Sequence, residues 1–167
     1  MPRHGLALSL TRLRQPARAP PRSPLMQIDP RGPRFAAVLT SLVLAAVLIT
    51  GSGALLAVQA VIFAVGAFAG LQYSPYGRLY RTLVRPRLGP PRETEDARPP
   101  RFAQAVGLGF AVVGTTGYLT GLTWLGLLAT AAALAAAFLN AAFGYCLGCE
   151  MYLLLRRAQV RPHTQPG

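Results

Sequence analysis

Lysine is missing altogether: all 17 basic residues are arginine, set against only 5 acidic residues and 2 histidines. No glycine-rich phosphate loop can therefore carry the lysine it needs. Cysteine is nearly as scarce, with two, and aromatic residues make up 8% of the chain. Charged residues are only 13% of the 167, too few to coat a soluble globule of this size evenly. They are also unevenly spread. Asp, Glu, Lys and Arg are absent from the 43 residues Phe35 to Gly77, and again from the 48 residues Phe102 to Cys149. Such stretches exclude an ordinary soluble domain. Each exceeds the roughly 20 apolar residues that cross a bilayer, so each is expected to hold two helices. The same absence extends to histidine and argues against a proton-driven transporter or a voltage sensor, whose working groups are intramembrane charges.

Four windows have the length and apolarity of spans: 35–50, 54–71, 102–119 and 124–143. The first is the shortest and covers only about 24 Å at a rise of about 1.5 Å per residue, which calls for turn residues or locally thinned lipid. Short glycine-bearing connections, Gly51-Ser52-Gly53 and Thr120-Gly121-Leu122-Thr123, fold each pair into an antiparallel hairpin. The expected fold class is all-α, a polytopic membrane protein of four transmembrane helices in two hairpins. An interfacial helix over 146–157 follows the last span, and basic tails over 1–34 and 158–167 flank the membrane domain. The first tail carries seven Arg and seven Pro, the composition of a segment that cannot bury enough surface to order itself. Its apolar stretch from Gly5 to Leu10 is too short for a signal-peptide core. Met26 directly precedes the motif-bearing part, so the first 25 residues read as a mispredicted start or a dispensable extension.

Seven Arg precede the first span, seven lie between Tyr73 and Arg101, three follow the fourth span, and the hairpin tips carry none. The positive-inside rule then puts both termini and the central loop in the cytoplasm of a plasma-membrane protein. The net charge of +12 finds its counter-charge in anionic lipid headgroups rather than nucleic acid, because the arginines all flank spans. Two internal echoes suggest a parallel repeat: Pro33-Arg34-Phe35-Ala36 recurs as Pro100-Arg101-Phe102-Ala103, and Tyr73 and Tyr80 recur as Tyr145 and Tyr152. The pairs Gly66 and Gly70, Gly117 and Gly121, and Gly144 and Gly148 have the spacing of close helix packing.

Reactive potential gathers at one place, Tyr145-Cys146-Leu147-Gly148-Cys149-Glu150, where both cysteines form a Cys-x-x-Cys. On a helix, residues three apart share a face, with Cβ atoms somewhat farther apart than a good disulfide requires. If Cys146 opens the interfacial helix, unpaired N–H groups and the helix dipole favour its thiolate. Glu150 is placed to receive a proton during thiol exchange, although its charge opposes a low thiol pKa. The competing explanation is that both cysteines fill alanine-sized positions in the bundle and Glu150 is an interfacial carboxylate. A zinc centre needs about four ligands, and His4 and His163 lie in remote tails. Glu150 rather than His follows Cys149, which excludes c-type haem attachment, and no cofactor is expected. Gln59, Gln72, Gln104 and Asn140 either line a polar path or hydrogen-bond between helices.

Three segments, Ile28-Asp29-Pro30-Arg31-Gly32-Pro33-Arg34-Phe35, Val84-Arg85-Pro86-Arg87-Leu88-Gly89-Pro90-Pro91 and Cys146-Leu147-Gly148-Cys149-Glu150, resemble a bacterial, actinobacterial-type family of small integral membrane proteins known as a domain of unknown function. The resemblance covers about Ile28 to Arg157. It implies a genomic neighbourhood of thioredoxin-like proteins and sulfurtransferases, hence thiol or sulfur metabolism, and it assigns no activity. Ser74 stands where a reactive thiol in the first half would be needed. The expectation is a thiol/disulfide or sulfur-handling component in which Cys146, Cys149 and Glu150 act with a cytoplasmic thioredoxin-like or sulfurtransferase partner. The alternative is a non-catalytic scaffold or small-solute permease.

Overall fold

In the computed structural model, which describes residues 27–91 and 93–159, the chain is helical almost throughout. Helix α1 (Arg31–Thr50) starts four residues ahead of the expected Phe35 because Asp29 receives it: the Asp29 carboxylate accepts the Arg31 N–H at 3.0 Å. A carboxylate there satisfies a donor that a helix start leaves unpaired, and it suits the positive end of the helix dipole. Residues 27–34, expected to belong to the tail, are therefore part of the fold. The remainder of the expected tails falls largely on 1–26 and 160–167, outside the described residues.

α1 ends on Gly51, in the left-handed region at φ 64°, and helix α2 (Gly53–Ala64) starts at once with the Ser52 hydroxyl accepting the Leu55 N–H at 3.2 Å. α2 continues through a π-helical turn, Val65–Ala69, and stops at Gly70, two residues before the expected Leu71. The resulting helix, Gly53–Ala69, is short for a span, whereas α1, α4 (Arg98–Leu119) and α5 (Thr123–Phe143) are long and apolar enough to cross a membrane. Between α2 and α4 lie α3 (Pro75–Leu79), a second π-helical turn Tyr80–Val84, and the strand β2 (Glu95–Asp96), which pairs with β1 (Gln27–Ile28) ahead of α1. Helix α6 (Leu147–Gln159) ends the described chain.

α5 lies between α1 and α4, α2 packs on α4, and α1 meets α2 to close the ring. The interior is a thin column of Leu44, Val47, Leu56, Phe63, Ala111 and Ala133. Outside that column the bundle is apolar where a water-soluble bundle would be polar: Ile49 is 86% exposed, Phe68 75% and Leu42 64%. A surface of this kind has lipid as its solvent. The three glycine pairs divide their labour. Gly66, Gly117 and Gly148 sit where an added Cβ would strike a neighbouring element, while Gly70, Gly121 and Gly144 take positive φ at helix ends.

One carboxamide is buried completely. Gln59 of α2 is 0% exposed, and its Oε1 accepts the Tyr76 hydroxyl at 2.7 Å while its Nε2 has no partner among the described residues. Burial pushes the Tyr76 pKa up. Tyr76→Phe should leave the whole amide unpaired and cost about 1 kcal/mol, measured as a shift in the detergent-unfolding midpoint.

The repeat is longer than the tetrapeptide that first shows it. Asp29-Pro30-Arg31-Gly32-Pro33-Arg34-Phe35-Ala36 matches Asp96-Ala97-Arg98-Pro99-Pro100-Arg101-Phe102-Ala103 at Asp, Arg, Pro, Arg, Phe and Ala. Each copy performs the same tasks. Asp96 accepts the Arg98 N–H at 3.0 Å, as Asp29 does for Arg31. Arg34 donates to the carbonyls of Ala141 and Ala142 at the end of α5, at 3.1 and 3.0 Å, and Arg101 donates to those of Ala67 and Phe68 at the end of α2. Phe35 meets Tyr80, and Phe102 meets Tyr152, each at 5.8 Å between ring centroids. Terminal carbonyls lack helical donors and carry partial negative charge, so a guanidinium is a suitable cap. Arg34→Gln and Arg101→Gln should each cost about 1 kcal/mol and, being at separate helix ends, should add in the double variant when thermal midpoints are compared.

Candidate functional site

α5 finishes in a left-handed glycine: Gly144, at φ 70°, donates its N–H to Asn140, and the Tyr145 N–H reaches the Leu139 carbonyl at 3.4 Å. This reversal satisfies the last carbonyls of α5 and redirects the chain. Cys146 then occupies the position just before α6, where its carbonyl accepts the Glu150 N–H at 3.0 Å. The expected helix start at Cys146 thus lies one residue before the observed Leu147, and the helix runs two residues past the expected Arg157. Glu150 in the first turn and Arg156 and Arg157 in the last both complement the helix dipole.

Cys146 and Cys149 are both free and partly buried. The Cys146 thiol is lowered to about 7, chiefly because Cys149 donates its S–H to it, with the N–H groups of Cys149 and Gly148 adding to that effect. Burial and the Glu150 carboxylate oppose the shift. Cys149 moves the other way: its proton is held by Cys146, and burial, Glu95 and Glu150 hold it further. The two thiols therefore titrate as a pair that loses one proton near neutrality and keeps the second. Such a division suits a nucleophile and a resolving thiol. Glu150 is exposed and acts on both sulfurs as a negative charge.

What holds α6 in place is the glycine between the cysteines. A Cβ on Gly148 would lie 2.6 Å from the Ala103 Cβ and 2.7 Å from its Cα, so α6 touches α4 backbone to backbone there. Tyr152 secures the next turn through Phe102. Beside this contact a cavity of about 270 Å³ opens from Cys146 into the bundle, walled by Phe63, Ala103, Phe110, Ala133, Ala136 and Met151. The carboxamides of Gln104 and Asn140 also line it.

A second cavity of about 320 Å³ occupies the corresponding place in the other half, and the two share Pro33 and Gln104. Ser74, 4% exposed, lines it as Cys146 lines the first. Gly77 stands three residues on, where the second half has Cys149, and it admits no side chain because an added Cβ would overlap the Leu71 carbonyl oxygen. Asp29 accepts the Tyr80 hydroxyl at 2.8 Å in this cavity, and burial together with that bond pushes the Tyr80 pKa up to about 12. Among the described residues no three of His, Cys, Asp and Glu gather closely enough to hold a metal ion.

The structure therefore brings Cys146 and Cys149 together and sets Glu150 beside them as an opposing charge. Sequence reasoning gave Gly148 a part in close helix packing and offered Gln104 and Asn140 a polar path, but it named neither the packing partner Ala103 nor the one cavity that both carboxamides line. Ala103 is far from Gly148 in sequence, so no local pattern points to it. Residues 28–157 match the family described as Domain of unknown function (DUF4395). No curated protein and no solved structure matches the chain.

Proposed function

From the premise that the chain belongs to the DUF4395 family, we propose that it is a four-span membrane protein whose Cys146 and Cys149 exchange thiol, disulfide or persulfide equivalents with a thioredoxin-like or sulfurtransferase protein in the cytoplasm. The observation that carries this reading is Cys146 at the start of α6, drawn toward thiolate by Cys149 and two backbone N–H groups and opening onto a cavity. In the exchange, the Cys146 thiolate attacks a sulfur of the partner's disulfide and releases the partner's other sulfur as a thiolate. Cys149 then attacks Cys146, forming the Cys146–Cys149 disulfide and freeing the partner as a dithiol. The reverse sequence reduces the pair.

α2 with its π-helical turn serves as the fourth span. Its 17 residues reach about 25 Å, and modest thinning of the bilayer covers the rest. Val58, Val61 and Phe68 on its outer side are exposed, as lipid-facing residues are. Arg34 and Arg101 bind the ends of α5 and α2, so the starts of α1 and α4 lie beside the ends of their neighbours. Two antiparallel hairpins related by an axis along the membrane normal satisfy these contacts. Their arginine-rich end faces the cytoplasm of the plasma membrane and its anionic headgroups by the positive-inside rule, and α6 lies at that interface.

The test is differential labelling with a membrane-impermeant maleimide in intact cells and inverted vesicles, before and after reduction. Reversible oxidation of both cysteines with access only in inverted vesicles is the expected result. Thiols that stay reduced and unreactive from both sides would remove the redox reading and leave a scaffold or permease.

A further inference from the structure

We infer that the Cys146 cavity is a quinone site, at which the Cys146–Cys149 dithiol passes two electrons to a lipid-soluble quinone. This rests on the thiol-exchange reading and supplies what that reading leaves open, the redox substrate on the membrane side. A cavity that is lined by Cys146 and walled by lipid-exposed side chains gives the dithiol a second two-electron partner, one that lipid can deliver.

Three features of the cavity select its chemistry. Its walls are alanine, phenylalanine and methionine, and its volume of about 270 Å³ falls just below the range of about 300 to 1,000 Å³ typical of drug-sized ligands, which suits one flat ring system. Phe110, Leu147 and Met151 line it and are exposed on the bundle surface, so entry is sideways from the lipid phase. The side chains of Gln104 and Asn140 line it with no hydrogen-bond partner among the described residues. Both residues are only partly buried, so their amides are accessible to a molecule in the cavity, and amide N–H groups are donors for ring carbonyl oxygens. An acyl chain would also fit the apolar wall, but it uses neither the amides nor a second thiol.

The electrons balance without a further reactant. The Cys146 thiolate adds to a ring carbon of the quinone, forming a C–S bond. The Cys149 sulfur then attacks the Cys146 sulfur. An S–S bond forms, the C–S bond breaks, and its electron pair stays on the ring. The two protons that began on the thiols end on the two ring oxygens, so dithiol plus quinone gives disulfide plus quinol. The partner protein's dithiol then reduces the Cys146–Cys149 disulfide and readies the site again.

The experiment uses the full chain, reduced and freed of reductant, in lipid nanodiscs without oxygen, with decylubiquinone as the probe. Quinol is followed by absorbance and the disulfide by maleimide mass tagging. One quinol formed per disulfide is expected. Ala136→Leu, which fills the cavity wall, and Asn140→Leu, which removes an amide, should slow quinol formation by at least about tenfold while exchange with a soluble thioredoxin is unchanged. A disulfide that forms with thioredoxin but gives no quinol overturns the quinone site and leaves the thiol-exchange reading standing. Quinol production at the wild-type rate in Ala136→Leu and Asn140→Leu, or in Cys146→Ser, overturns it as non-specific. A chain that forms no reversible disulfide with any partner overturns both.

Discussion

Cys146 should react with iodoacetamide along a pH profile whose midpoint lies near pH 7, about tenfold faster at neutral pH than an ordinary thiol of pKa about 8.5. The thiolate is the reactive form, so rate follows ionisation. The largest cause of the shift is the Cys149 thiol that donates to the Cys146 sulfur. Cys149→Ala removes this donor, and the midpoint should move up toward the ordinary range. Glu150→Gln should move it the other way, since the Glu150 charge opposes ionisation. If the profile of Cys149→Ala overlays that of the wild type, the helix start alone sets the thiol and the pair is not coupled. Cys146→Ser removes the largest cause that holds the Cys149 proton, so the Cys149 profile should fall from its raised position toward the ordinary range, with burial, Glu95 and Glu150 still keeping it above that range.

The second large effect is expected at glycine. Gly77→Ala places a methyl group onto the Leu71 carbonyl oxygen, and the obstacle is backbone in a tight turn rather than the far end of a flexible side chain. Relief requires rebuilding the 70–74 connection, at about 3 kcal/mol or more. Gly148→Ala meets the Ala103 Cβ at 2.6 Å, and α6 must move off α4 at about 2 kcal/mol. Unfolding midpoints in detergent measure both. The alkylation profile separates them: in the folded fraction Gly148→Ala should shift the Cys146 midpoint, because the N–H groups that face the sulfur move with α6, whereas Gly77→Ala should leave it where it is. A Gly77→Ala chain with wild-type stability would mean that the turn at Gly70 is not fixed.

The contrast between Gly77 and Cys149 explains why an internally repeated bundle carries its thiols in one half only. The first half has a five-residue connection, 70–74, that folds back over Gly77, and the second has a three-residue one, 144–146, that leaves Cys149 room. Room for a side chain at that position follows from the length of a connection.

By itself the sequence determined the helices and their neighbours in the chain. Long charge-free stretches, glycine at helix ends and arginine between stretches place the long helices to within a few residues, since these are local matters of hydrogen bonding, backbone freedom and solvation, whereas α3 and the turn Tyr80–Val84 inside the arginine-bearing stretch were not expected. The Cys-x-x-Cys at the opening of α6 was legible for the same reason, but the sequence credited the helix start with favouring a thiolate where the largest cause is the Cys149 thiol. The tertiary structure decided the rest. Arg34 and Arg101 became caps of helices distant in sequence, Asp29 drew residues 27–34 out of the expected tail, and Gly148 met Ala103. The cavity beside Cys146 collects side chains from five helices. No pattern along one stretch encodes such a meeting, because it depends on how closely helices approach, and that distance is set by which glycine of each pair faces a neighbour.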